Sequence, residues 1–237
     1  MVKKSRRTFR TREIHPPRRQ PSGGRQLESG CQDVHPDPPW SADKRNWAAL
    51  PRDVLWVILS LVPQADILRG AGLVCVSWRR LAHDEPLFWR HIDLAVAADE
   101  GSPARWMPMA VAAVRRSAGR CESFRGCVID NFLLFLAQRA PLLRRLHMTG
   151  RGRLDNTPNE KFMTMMARKL HHLEELVLAE SLINEALLAP LVDHCPRLQL
   201  LDAGSCYTYR PFDSTLRARL EGRIKDLRLP YLAVLCR

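Results

Sequence analysis

Seven cysteines stand at positions 31, 75, 121, 127, 195, 206 and 236, and no two of them form a C-x-x-C pair. The odd number and irregular spacing fit neither a disulfide framework nor a zinc finger, so reduced thiols and an intracellular setting are expected. His171-His172 and His194-Cys195 lack a complementary ligand pair at zinc spacing, so neither a metal nor a cofactor is expected. Long apolar runs are missing too. None approaches the ~20 residues needed to span a bilayer, and the charged, Pro-rich N-terminus has no hydrophobic region of the kind a secretory signal carries. No membrane partner is expected. The sequence also contains no G-x-S-x-G, no phosphate-binding P-loop and no H-E-x-x-H. Cys127 and Cys195, the conceivable thioester cysteines, belong to no recognisable constellation, and a buried cysteine commonly serves as a small hydrophobe. A non-catalytic protein is expected.

Acidic residues are scarce at the N-terminus. Residues 1–25 hold nine Lys and Arg against one acid, Glu13, so +8 of the formal +12 lies there and +4 on the other 212 residues. The basic character is that of a tail. Residues 1–45 are rich in Arg, Pro, Gly, Ser and Gln without sustained periodicity, which predicts disorder. Lys3-Lys4-x-Arg6-Arg7 reads either as a nuclear-localisation patch or as a solvated basic tail; nucleus, cytoplasm or both are the expected locations. Phe9 is the lone aromatic among residues 1–25. Without interleaved aromatics or a nucleic-acid fold signature, nucleic acid is a weak candidate partner.

The chain changes character over residues 46–94, NWAALPRDVLWVILSLVPQADILRGAGLVCVSWRRLAHDEPLFWRHIDL. Pro51 suits the first position of a helix, where its missing N–H is no loss. Val54, Leu55, Ile58, Leu59 and Val62 recur at helical spacing, and Pro63 stops that helix. Gly70 and Gly72 end a short second helix before Leu73. Val74, Cys75, Trp78 and Leu81 trace one face of a third. Three short helices cannot enclose so many large apolar groups by themselves, so part of their surface must pack on something else. This stretch closely resembles an F-box, the three-helix module that docks proteins onto the Skp-family adaptor of cullin ligases. The resemblance implies that Leu50, Pro51, Val54, Ile58, Leu59 and Trp78 share roles in the module's core and in Skp contact.

Ala97–Pro103 reads as a linker, and Trp106–Ala118 as an amphipathic helix with Gly119 as its C-cap. An internal repeat follows. Leu143-x-x-Leu146-x-Met148 recurs as Leu173-x-x-Leu176-x-Leu178, Leu198-x-x-Leu201-x-Ala203 and Ile224-x-x-Leu227-x-Leu229, at offsets of 30, 25 and 26 residues. A degenerate first copy stands at Cys121-x-x-Phe124. Helical segments are predicted between the copies at Phe132–Arg139, Lys161–Leu170, Glu185–His194 and Ser214–Arg223. This is the leucine-rich-repeat pattern, one short strand and one helix per repeat, and residues 46–229 resemble the plant F-box/leucine-rich-repeat proteins. The expected fold is α+β to α/β, in four segments. A disordered tail (1–45) precedes the three-helix F-box (46–94); a linker and helix (95–120) lead into a short leucine-rich-repeat solenoid (121–237).

In L-x-x-L-x-L the fourth and sixth positions point into the core, and the third and fifth to the open concave face. That places Arg145, His147, Glu175, Val177, Leu200 and Asp202 on the face as candidate target contacts, with Asp226 and Arg228 beyond them. The insertion Arg151–Asn159 lengthens one loop, and Tyr231–Arg237 offers no obvious polar cap. The resemblance implies a substrate receptor of a Skp–cullin–F-box ubiquitin ligase. In that role it holds the Skp-family adaptor, and through it a cullin–RING core, at one end and an unidentified target protein at the other. The alternatives are a Skp-binding scaffold without a role in degradation, and a nucleic-acid-associated protein using the basic tail.

Overall fold

The computed structural model describes residues 46–95, 103–149 and 160–233. The expectations for the tail, for the linker over 97–102 and for the 151–159 insertion fall outside those residues. Prolines set the first helices. Pro51 (φ −56°, ψ 147°) is the extended N-cap of α1 (Arg52–Ser60), so the helix begins one residue later than its first-position reading predicts. Asp53 lies in the first turn, where a carboxylate complements the helix dipole. Pro63 caps α2 (Gln64–Arg69). The turn Ala71–Leu73 then closes against α2 so tightly that a Cβ on Gly72 would lie 3.1 Å from the Ile67 carbonyl oxygen. Cys75, with extended backbone, is the N-cap of α3 (Val76–Asp84). Val74 therefore lies outside the helix and is exposed, and the inward face reduces to Trp78, Leu81 and Ala82.

Behind these helices runs a six-stranded, all-parallel sheet: β1 (His91–Asp93), β2 (Ser123–Gly126), β3 (Arg145–Met148), β4 (Glu175–Val177), β5 (Leu200–Asp202) and β7 (Asp226–Arg228), adjacent in that order. A helix enters between successive strands: α4 (Pro103–Arg116), α5 (Asp130–Arg139), α6 (Glu160–Lys169), α7 (Glu185–His194) and α8 (Ser214–Arg223). α4 begins three residues before the predicted Trp106, because Pro103 suits a first turn. It stops at Arg116; Ala118 (φ 48°) and Gly119 (φ 82°) then turn left-handed, a geometry glycine adopts without steric cost. The predicted α7 and α8 match the observed spans. Two short strands, β6 (Tyr207–Thr208) and β8 (Tyr231–Leu232), form a second parallel sheet that the repeat pattern did not anticipate.

One apolar core runs from Leu55 in α1 to Ile224 beside β7. Each strand contributes an inward residue at the same register: Ile92, Phe124, Leu146, Leu176, Leu201 and Leu227. The three-helix module enters this core through Trp89, which is fully enclosed. Its indole N–H donates to the Ala82 carbonyl at 2.8 Å, its ring meets Phe88 edge-on at 5.4 Å, and the Arg116 guanidinium lies 5.4 Å over its face. Trp89-x-x-Ile92-x-Leu94 follows the repeat pattern, and its strand β1 pairs with β2. The last residues of the three-helix module are thus the first strand of the sheet.

Candidate functional site

Two surfaces differ from ordinary protein exterior. The first lies on the three helices. Among the described residues, Trp47, Val54, Val57, Leu61, Leu73, Val74, Val76 and Leu87 are large, apolar and exposed; Leu61 is 81% and Val57 57% open. So many exposed large apolar side chains on one small module make it a candidate contact surface. α1 explains how it arises. Leu55, Leu59 and Val62 form the inward stripe, while Val54, Val57, Ile58 and Leu61 form a second stripe facing away from it.

Of the residues singled out from sequence, Pro51 and Val54 are exposed, and Leu50, Ile58 and Trp78 are half-buried. Trp78 donates its indole N–H to the Trp47 carbonyl at 3.3 Å, which holds the segment before α1 against α3. Leu59 is 0% exposed and sits wholly in the core, so it offers no surface to a partner. Val57, Leu61, Val74 and Leu87, also exposed on these helices and turns, are not among the residues that the resemblance names. The signal available for two of them was the i, i+4 spacing of Val57 and Leu61 on a helix already apolar on its other side.

The second surface is the open face of the sheet. Strand register aligns the outward side chains in two rows. One row is His91, Ser123, Arg145, Glu175, Leu200 and Asp226; the other is Asp93, Arg125, His147, Val177, Asp202 and Arg228. All six residues predicted for this face are therefore side by side: Arg145, Glu175 and Leu200 in one row, His147, Val177 and Asp202 in the other. Charges are matched across strands, Arg125 with Asp93 at 3.3 Å and Arg228 with Asp202 at 3.4 Å, and His147 Nε2 lies 3.7 Å from Glu175 Oε2. His147 Nε2 is buried without a hydrogen-bond partner in the protein, and so is Thr149 Oγ1 just beyond it. One residue before each strand a further ladder runs along the rim. Arg90 bonds Glu122 at 2.9 Å, Arg144 bonds Glu174 at 2.8 Å and Lys225 bonds Gln199 at 3.4 Å.

Four of the described cysteines are held in the thiol form. Burial pushes the Cys121 and Cys195 thiols up to about 12, and also raises those of Cys127 and Cys206. Such groups are protonated and inert near neutral pH. Cys127 and Cys195, the two thioester candidates, are both of this kind. Among the described residues no cluster of three His, Cys, Asp or Glu could hold a metal ion, and no single helix is long and apolar enough to cross a membrane.

The helical module with its apolar outer stripe, joined to a ladder of parallel strands, defines the class: residues 47–95 match the F-box-like family. F-box/LRR-repeat protein 9 of Arabidopsis thaliana is 31% identical over 183 residues, which covers 74% of this chain and 72% of that protein. F-box/LRR-repeat protein 22 of the same plant is 29% identical over 240 residues, 78% of this chain and 77% of that one. F-box protein SKIP19, also from Arabidopsis thaliana, is 40% identical over 52 residues, 22% of this chain and 17% of that protein. This chain belongs to the F-box/LRR-repeat family.

Proposed function

We propose that this chain is the substrate-recognition receptor of a Skp–cullin–F-box ubiquitin ligase. The F-box docks on a Skp-family adaptor, and through it on the cullin–RING core. The six parallel strands and their helices act as a short leucine-rich-repeat solenoid whose open face holds a target protein. The chain contributes proximity rather than bond-making: it raises the effective concentration of target lysines near the charged conjugating enzyme, and that is sufficient to accelerate transfer. It works in the nucleus, the cytoplasm or both.

The observation that carries this reading is the second apolar stripe of α1. A stripe of Val54, Val57, Ile58 and Leu61 left in water is costly at about 25 cal/mol per Å² of apolar surface, and a constitutive partner removes that cost. The target face is of another kind. Its paired charges favour a mixed-charge protein segment over nucleic acid, which prefers a uniformly basic groove. The residues near the middle of the face, Glu175 and Leu200 among them, are where binding energy should concentrate.

The test uses two surface variants of the full chain. Val57→Asp/Leu61→Asp should abolish co-purification with the adaptor while target capture and the melting temperature hold. Glu175→Arg/Leu200→Asp should do the converse. Undiminished adaptor binding in the first variant rules out the docking reading. Target capture that survives the second but is lost on altering residues 151–159 moves the recognition site to the loop edge. A target that is bound and ubiquitinated in neither extract nor reconstituted reaction makes the chain a scaffold instead.

A further inference from the structure

The two edges of the six-stranded sheet are treated differently. At β1 the outward-facing backbone groups are occupied. Gln64 of α2 donates from Nε2 to the His91 carbonyl at 3.0 Å and accepts from the Asp93 N–H through Oε1 at 2.7 Å. Its amide stands where the peptide group of a seventh strand would stand, and the edge cannot template further pairing.

Among the described residues nothing comparable stands at β7. The Asp226 N–H donates to the Gln199 carbonyl at 3.0 Å, and the Arg228 carbonyl accepts from the Ala203 N–H at 2.8 Å. Both residues are turned toward β5, so the N–H and C=O of Leu227, between them, point away from the sheet. Among the described residues none bonds to either group. Beside this edge Tyr231 and Leu232 of β8, the edge of the smaller sheet, are exposed and add an apolar flank.

We infer that β7 is a self-association edge: two copies of this chain pair β7 with β7 antiparallel about a two-fold axis through Leu227. The sequence of the strand argues for a copy of itself over any other strand. Asp226-Leu227-Arg228 reads acid, apolar, base, and the antiparallel copy presents base, apolar, acid. Leu227 then exchanges both backbone hydrogen bonds with its counterpart. Asp226 lies opposite Arg228 of the partner copy twice over, at the non-hydrogen-bonded positions where facing side chains are closest. A two-fold contact requires this self-complementarity. The contact is small, so the dimer is weak and concentration-dependent.

Sedimentation equilibrium of the full chain tests this with a charge swap at two exposed positions. Asp226→Arg alone sets two like-charged pairs face to face, as does Arg228→Asp alone. Each should weaken dimerisation about tenfold, the combined effect of two reversed cross-strand pairs. The double variant Asp226→Arg/Arg228→Asp should restore it. Melting curves of all three variants separate loss of the contact from loss of the fold. Association through the apolar F-box patch is the same in every variant. A chain that remains monomeric up to its solubility limit overturns the proposal. So does self-association indifferent to the single changes, or a double variant that fails to recover.

Discussion

The F-box and the open face of the sheet share one core but meet solvent in opposite ways. The F-box leaves whole apolar side chains uncovered on α1, around α3 and in its connecting turns. The sheet leaves charges uncovered but matches most of them across strands, Arg125 with Asp93 and Arg228 with Asp202. Exposed pairs of this kind are worth about 0–1 kcal/mol each, so a partner can break and replace them at small cost. An apolar stripe suits a standing partner that covers it by desolvation. A face of exchangeable pairs suits selection among partners by charge pattern. The contrast separates a surface for constant attachment from one for discrimination.

The comparison breaks most completely at Trp89, which serves both regions. Trp89→Ala removes a fully enclosed ring and its 2.8 Å hydrogen bond to Ala82. Chemical denaturation should show a loss of about 3–5 kcal/mol, the range for large aromatic truncation in a core. Adaptor and target capture should fall together. If only one of them falls, the two regions are mechanically separate.

Gln64→Ala should have a smaller effect, near 1 kcal/mol, because water can replace part of what the amide supplies at a partly exposed edge. Hydrogen exchange at the Asp93 amide should quicken while strands β3 to β5 keep their protection. Unchanged exchange at Asp93 would mean that the amide does not hold β1.

The cysteines sharpen the contrast at the smallest scale. Cys75, at the start of α3, is half-buried, whereas Cys121 and Cys195 are sealed in the repeats with thiols raised to about 12. Well below the ordinary thiol value of about 8.5 these two thiols are protonated in both folded and unfolded chains and leave stability unchanged. Above it the unfolded chain ionises first, so stability should drop by up to about 1.4 kcal/mol per pH unit for each thiol until the folded value is passed. A Cys121→Ala/Cys195→Ala variant should show a shallower alkaline slope between pH 9 and pH 11. An identical slope would remove the thiols from the account.

Most of the sheet was legible because each L-x-x-L-x-L copy carries its own strand and its own two faces. The register then needed no further information: Leu146, Leu176 and Leu201 align, and Arg145, Glu175 and Leu200 align with them. β1 escaped notice although Trp89-x-x-Ile92-x-Leu94 has the same spacing. There the repeat spacing coincides with the end of the F-box signature, whose tryptophan and Ile-Asp-Leu overlap it. β6 and β8 escaped because two-residue strands carry no period. On α1 the apolar stripe of Leu55 and Leu59 was readable, but the second stripe through Val57 and Leu61 was not separated from it. A helix apolar on two sides gives no sequence cue as to which side meets its own chain. The F-box resemblance gives Leu59 a shared role in core and Skp contact, and the structure puts its side chain in the core.

Because the F-box contains β1, no clean cut exists between the parts. A chimera joined near residue 95 takes a strand from one parent and asks the other to pair with it. A graft that begins with an ordinary interior helix would strand the Gln64 amide and Trp89 without their neighbours. Exchange of the strand-and-helix array between relatives should therefore succeed only when the incoming array offers a β2 in register with His91–Asp93, and the orientation of its open face relative to the F-box is inherited with that register.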